Sequence, residues 1–96
     1  MISIIWSPES LRDIEAVRTY ISADSPLYAD RIVRRLVAAV DRLSSFPESG
    51  RVVPERNTPE IRELIVRPYR IVYRLRPGVV EIATVFRASR LFPDLS

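Results

Sequence analysis

The densest chemistry in this sequence lies in RELIVRPYRIVYR, residues 62–74, where Arg62, Arg67, Arg70 and Arg74 interrupt two β-branched runs. An arginine fork holds a phosphate or carboxylate through paired N–H donors and keeps its charge at any physiological pH. Such groups bind and neutralise, but they do not carry protons. All fifteen basic residues are arginines, and histidine, cysteine and lysine are absent. Imidazole acid–base catalysis, thiol nucleophiles, disulfides and zinc sites of the usual ligand type are therefore excluded. No metal site and no cofactor is expected. A net charge of +3 is too small to signal nucleic-acid binding unless the charge is clustered.

The elements that must position these arginines follow from local signals. Ile2 to Trp6 is a short β-rich run. Ser7-Pro8-Glu9 then starts a helix, with serine as cap and proline in the first turn, and Ser25-Pro26 repeats the signal. Apolar residues at helical spacing predict two helices, about 8–22 and 25–46, packed as an antiparallel hairpin. Phe46 is expected to tuck into the core beyond the second helix. Arg31, Arg34, Arg35 and Arg42 read as that helix's wet side, with Asp30 and Asp41 breaking up their field. Leu27, Tyr28, Val37 and Ala38 lie off its main apolar stripe and are expected to stay exposed.

From Arg51 onward the period changes to two. After a short extended piece and a loop over 54–60, strands are expected at 61–66, 69–75 and 79–86. Arg67-Pro68 and Pro77-Gly78 supply the turns. The chain is one α+β domain, 1–96, with an N-terminal strand and a helical hairpin packed on an antiparallel meander. Alternation puts Tyr69, Ile71, Tyr73 and Leu75 on the core face. It puts Arg70, Val72, Arg74 and Arg76 on the other, which is expected to be open and arginine-rich. Glu63 is expected to pair across strands.

Trp-Ser-Pro near the start, Phe46-Pro47 with Gly50-Arg51, Arg62-Glu63-Leu64 and Tyr69-Arg70-Ile71-Val72-Tyr73-Arg74 together resemble the RelE/ParE toxin family, over essentially the whole chain. The resemblance implies the toxin of a type II toxin–antitoxin pair, held in a heterotetramer or larger complex with its antitoxin and reaching DNA only through it. RelE-like members cleave mRNA at the ribosome, whereas ParE-like members poison DNA gyrase by binding. For a nuclease, the resemblance would assign Arg62, Arg70 and Arg90 to catalysis. The family's second basic position on the preceding strand falls on Leu64 or Ile65, and no tyrosine follows Tyr73. The slot where ParE-like chains often carry histidine holds Arg87.

Three classes follow: a gyrase-binding toxin, an endoribonuclease with an arginine-only site, and a non-toxic binding module descended from either. The first is favoured, because cations are kept while proton carriers are lost. Arg62, Arg70, Arg74, Arg87 and Arg90 are expected to form a recognition surface, and Leu27, Tyr28 and Val37 to meet the antitoxin. MISIIWSPES lacks signal-peptide features and no apolar run approaches a membrane span, so a cytoplasmic protein with no membrane role is expected.

Overall fold

The computed structural model describes residues 2–95. Strand β1 (Ser3–Trp6) leads into helix α1 (Pro8–Ser22) and helix α2 (Pro26–Asp41), which ends in a 3₁₀ turn, Arg42–Ser44. Strands β2 (Arg51–Val52), β3 (Ile61–Val66), β4 (Tyr69–Arg76) and β5 (Val79–Arg87) follow. Both helices start as the Ser-Pro signals dictate. Ser7 Oγ accepts the Ser10 N–H at 3.0 Å, and Ser25 Oγ accepts the Tyr28 N–H at 3.1 Å.

The meander β3–β4–β5 is antiparallel, but the sheet holds five strands in the order β1-β5-β4-β3-β2. β1 returns to lie parallel to β5, so the first and last strands are neighbours. At the β4–β5 turn Gly78 takes φ +72°, which the Pro-Gly pair anticipates. Within that hairpin Val72 faces Thr84 and Tyr73 faces Ile82, leaving Ala83 unopposed in a bulge.

β1 ends opposite Ile82, and α1 takes over the edge of β5 from there. Ser7 donates its hydroxyl to the Ala83 carbonyl at 2.9 Å. Asp13 Oδ2 then accepts both the Thr84 hydroxyl, at 2.6 Å, and the Val85 N–H, at 2.9 Å. A helix carboxylate thus satisfies strand donors that a longer β1 would have paired. Burial is the main cause raising the Asp13 pKa, working against these two hydrogen bonds.

The main core lies between hairpin and sheet. Leu36, Val40 and Leu43 pack on Ile71, Tyr73 and Ile82, all fully buried. Tyr69 and Tyr73 belong to this core, as alternation requires, and Trp6 packs against it.

Two expectations need correction. The α-helix stops at Asp41 rather than near residue 46, and Phe46 is 65% exposed instead of tucked in. The loop that follows it is tied down from the sheet by the Tyr73 hydroxyl, which bonds Pro47 and Gly50.

The other sheet face is not open either. Val53, Val72, Ala83 and Phe86 form a second, smaller core there, and Phe92 and Leu95 of the tail pack over it. Alternation assigns a residue to a face, but it cannot say whether a loop and a tail will cover that face.

Candidate functional site

On the covered face Arg70 is held from all sides. Its Nε donates to Glu63 Oε1 at 2.6 Å, and its two terminal nitrogens donate to the two Glu55 oxygens at 3.0 and 2.9 Å. Glu63 is a fully buried carboxylate in β3, and its second oxygen accepts Arg51 Nε at 2.6 Å. The guanidinium of Arg70 also lies 5.2 Å from the ring centres of both Phe86 and Phe92. Two arginines and two glutamates therefore close a clasp of zero formal charge.

Its electrostatics follow from the contacts. Hydrogen bonding to Arg70 is the main cause holding the Glu55 carboxyl down at about 2, although half of that side chain faces solvent. Glu55 in turn is the main influence pushing the Arg70 pKa up, against the penalty of burial. With 9% of its side chain exposed, Arg70 has neither a free donor edge for a substrate phosphate nor a proton to exchange.

Arg62 is engaged differently. Its Nη1 donates to the carbonyls of Gly50 and Glu48, at 3.0 and 3.2 Å, and its Nε to that of Pro59, at 3.0 Å. It thereby pins together the two loops flanking β2. Tyr73 reaches the same place from the core, accepting the Gly50 N–H and donating to the Pro47 carbonyl, each at 2.9 Å. Burial raises the pKa of this hydroxyl.

Gly50 is required here by space. A Cβ would stand 2.5 Å from the Tyr73 hydroxyl oxygen and 2.6 Å from the Glu63 carbonyl oxygen. The Phe-Pro-Glu-Ser-Gly-Arg stretch is thus a loop shaped around a tyrosine hydroxyl.

Arg74 meets Glu81 at 3.4 Å and donates to the Leu95 carbonyl, fastening the tail. It also borders a cleft of about 590 Å³ between the start of α1, β5 and the tail. Arg12 and Arg90 line that cleft along with Glu9, Asp13 and Glu81, so it carries both signs of charge. Arg87 and Arg90 are exposed.

The expectation of one open cationic surface therefore needs correction. Arg62, Arg70 and Arg74 are each spent on partners within the protein, and only Arg87 and Arg90 of the five remain accessible without a carboxylate partner among the described residues. Glu63 pairs across strands as expected, directly opposite Arg51. Glu55 had no legible signal, because its loop has no periodicity. On the opposite side of the molecule Leu27, Tyr28 and Val37 are 72%, 52% and 36% exposed.

Residues 4–92 match the model of the ParE toxin of the type II toxin–antitoxin system parDE. The chain belongs to the ParE toxin family. It is 40% identical over 92 residues to toxin RelE2 of Caulobacter vibrioides, an alignment covering 95% of this chain and all of that one. Its fold resembles the chromosomal ParDE toxin–antitoxin system of P. aeruginosa, with a TM-score of 0.75 and 23% identity, covering 91% of this chain and 96% of the other. It also resembles the RelBE2 toxin–antitoxin complex of Mycobacterium tuberculosis, with a TM-score of 0.67 and 19% identity over 90% and 96% of the two chains. This ParE-family chain thus has solved relatives of both names, and at those identities they speak for its fold alone. No helix among its described residues is long and apolar enough to cross a membrane.

Proposed function

We propose that this toxin acts by binding DNA gyrase and blocking it, without cutting RNA, and that a cognate antitoxin neutralises it. The observation carrying this reading is the state of Arg70, the strand arginine that a RelE-like nuclease would need free. Here two carboxylates and two aromatic rings occupy it. Cleavage by the RNA's own 2′-hydroxyl needs a proton acceptor, a proton donor and a cation at the phosphorane. The chain has no histidine or lysine, and the two tyrosines on β4 are buried.

The antitoxin follows from the hairpin, where Leu27, Tyr28 and Val37 offer apolar surface to a partner. An amphipathic helix with an acidic continuation suits it, burying on the order of 2,000 Å² or more in a heterotetramer or larger assembly. On this reading DNA is reached only through the antitoxin, and the setting is the cytoplasm.

The name of the Caulobacter relative favours a second reading, a ribosome-dependent mRNA endoribonuclease using Arg62, Arg70 and Arg90. Purified toxin assayed on gyrase-driven supercoiling and, separately, on translating ribosomes separates the two. Inhibited supercoiling with intact mRNA is expected. Cleaved mRNA, with cleavage lost in Arg70→Ala, would establish the nuclease instead.

A further inference from the structure

Nine of the fifteen arginines meet a carboxylate inside the protein, and among the described residues six do not: Arg31, Arg35, Arg42, Arg67, Arg87 and Arg90. The bare ones are not scattered evenly. Where the hairpin turn meets the β3–β4 turn, a groove of about 230 Å³ is lined by Tyr20, Tyr28, Tyr69 and Arg87. Arg87 lies opposite Tyr69 in the β4–β5 ladder, with its guanidinium 5.8 Å from the centre of the Tyr69 ring.

Arg67 sits in the turn beside Pro68, another residue of the lining, and its carbonyl accepts from Arg35 of α2 at 3.5 Å. Arg31 is one helical turn before Arg35 and three residues after Tyr28, so it shares their side of α2. A shallower depression along α1 continues the groove past Tyr20 and Arg87 to Arg90. Tyr20 is 74% exposed and Tyr28 52%. Asp24 also lines the groove, but it forms no ion pair with any of these arginines.

We infer that this groove seats an acidic segment of the antitoxin, with an apolar or aromatic side chain entering between Tyr20 and Tyr28 while flanking carboxylates meet Arg87, Arg67 and Arg35. The inference rests on the preceding reading that the toxin has such a partner.

Charge and composition choose this occupant over the others. A second copy of the chain would bring one cluster of bare guanidiniums against another. The chain's own tail is committed elsewhere, with Phe92 against Phe86 and the Leu95 carbonyl on Arg74. A phosphate backbone carries no apolar side chain and would leave the hollow among Tyr20, Ile21, Tyr28 and Ile32 unfilled. Tyrosine and arginine around a small apolar hollow are instead the residues that anchor protein–protein contacts. Charge-assisted pairs with carboxylates would fix the register of the bound segment.

The test titrates full-length toxin with its purified antitoxin and compares variants. Arg67→Glu combined with Arg87→Glu is expected to weaken binding at least about tenfold and to flatten its salt dependence. Tyr28→Ser is expected to weaken it by a similar factor with the salt dependence retained. Arg42→Glu is the control, because it lies 14 residues beyond Tyr28, about 21 Å along the α2 axis. It should change affinity by no more than about twofold. Unfolding midpoints of all variants should match the parent, since these side chains are exposed.

Parent-like affinity of the double variant overturns the inference, as does an equal loss in Arg42→Glu. The same holds if the parent binds a 20-nucleotide DNA and the double variant loses that binding while keeping the antitoxin. If the parent itself fails to bind the antitoxin, the preceding reading falls first, and that outcome is distinct from the others.

Discussion

Arg70, near the start of β4, and Arg87, at the end of β5, stand at the same end of the hairpin, one register step apart, and do opposite jobs. Arg70, paired with Phe86, has its charge cancelled by Glu55 and Glu63 and its face packed between two rings. Arg87, paired with Tyr69, meets no carboxylate among the described residues and looks out of the protein. The difference teaches that an arginine in a strand is not by itself a recognition residue. What decides is whether the fold brings a carboxylate to it before a partner can. Buried guanidinium must be paired, because removing it from water costs several kcal/mol that only close, well-directed contacts offset. The clasp is therefore architecture, and the bare arginines are what the surface offers.

The largest expected effect breaks the clasp at its centre. Glu63→Gln removes the charge shared by Arg51 and Arg70 while keeping the side chain's shape. It should cost about 3–5 kcal/mol, the usual penalty for leaving a buried charge without its partner. Urea unfolding measures this, and a loss below about 1 kcal/mol would mean that the clasp is far better hydrated than its burial indicates.

A smaller effect probes the loop the clasp leans on. Gly50→Ala drives a methyl group against the Tyr73 hydroxyl and the Glu63 carbonyl, and should cost about 1–3 kcal/mol. Removing the hydroxyl as well, with Tyr73→Phe, should make the double variant less unstable than the sum of the two changes. Strict additivity would show that the collision is relieved by backbone movement instead.

The smallest effect is set by pH. Glu55 is held at about 2 against an ordinary 4.5, so its pairing with Arg70 adds stability above pH 4.5 that is lost as pH falls toward 2. The unfolding midpoint of Glu55→Gln should therefore lie below that of the parent at neutral pH, and the gap should close across that window. Because half of this side chain faces water, the gap should be modest. A gap unchanged down to pH 2 would assign the Arg70 charge entirely to Glu63.

What the residues determined alone was short-range. Ser7-Pro8 and Ser25-Pro26 set both helix starts, Pro77-Gly78 set the β4–β5 turn, and alternation put Tyr69, Ile71 and Tyr73 in the core. These signals act through backbone dihedrals and side-chain period within a few positions, so they survive in the sequence. That Glu63 would pair across strands was legible from its place in a strand, but its partners Arg51 and Arg70 were not. Tertiary structure decided the rest. It laid β1 parallel to β5, placed the bulge at Ala83, closed the second face with Val53, Phe86 and Phe92, and left Phe46 outside. It also sorted the arginines, bringing Glu55 to Arg70 from a loop with no period and leaving Arg87 exposed, without an acid among the described residues. Ion pairing and burial depend on which distant residues arrive within about 4 Å, and no local pattern encodes that arrival.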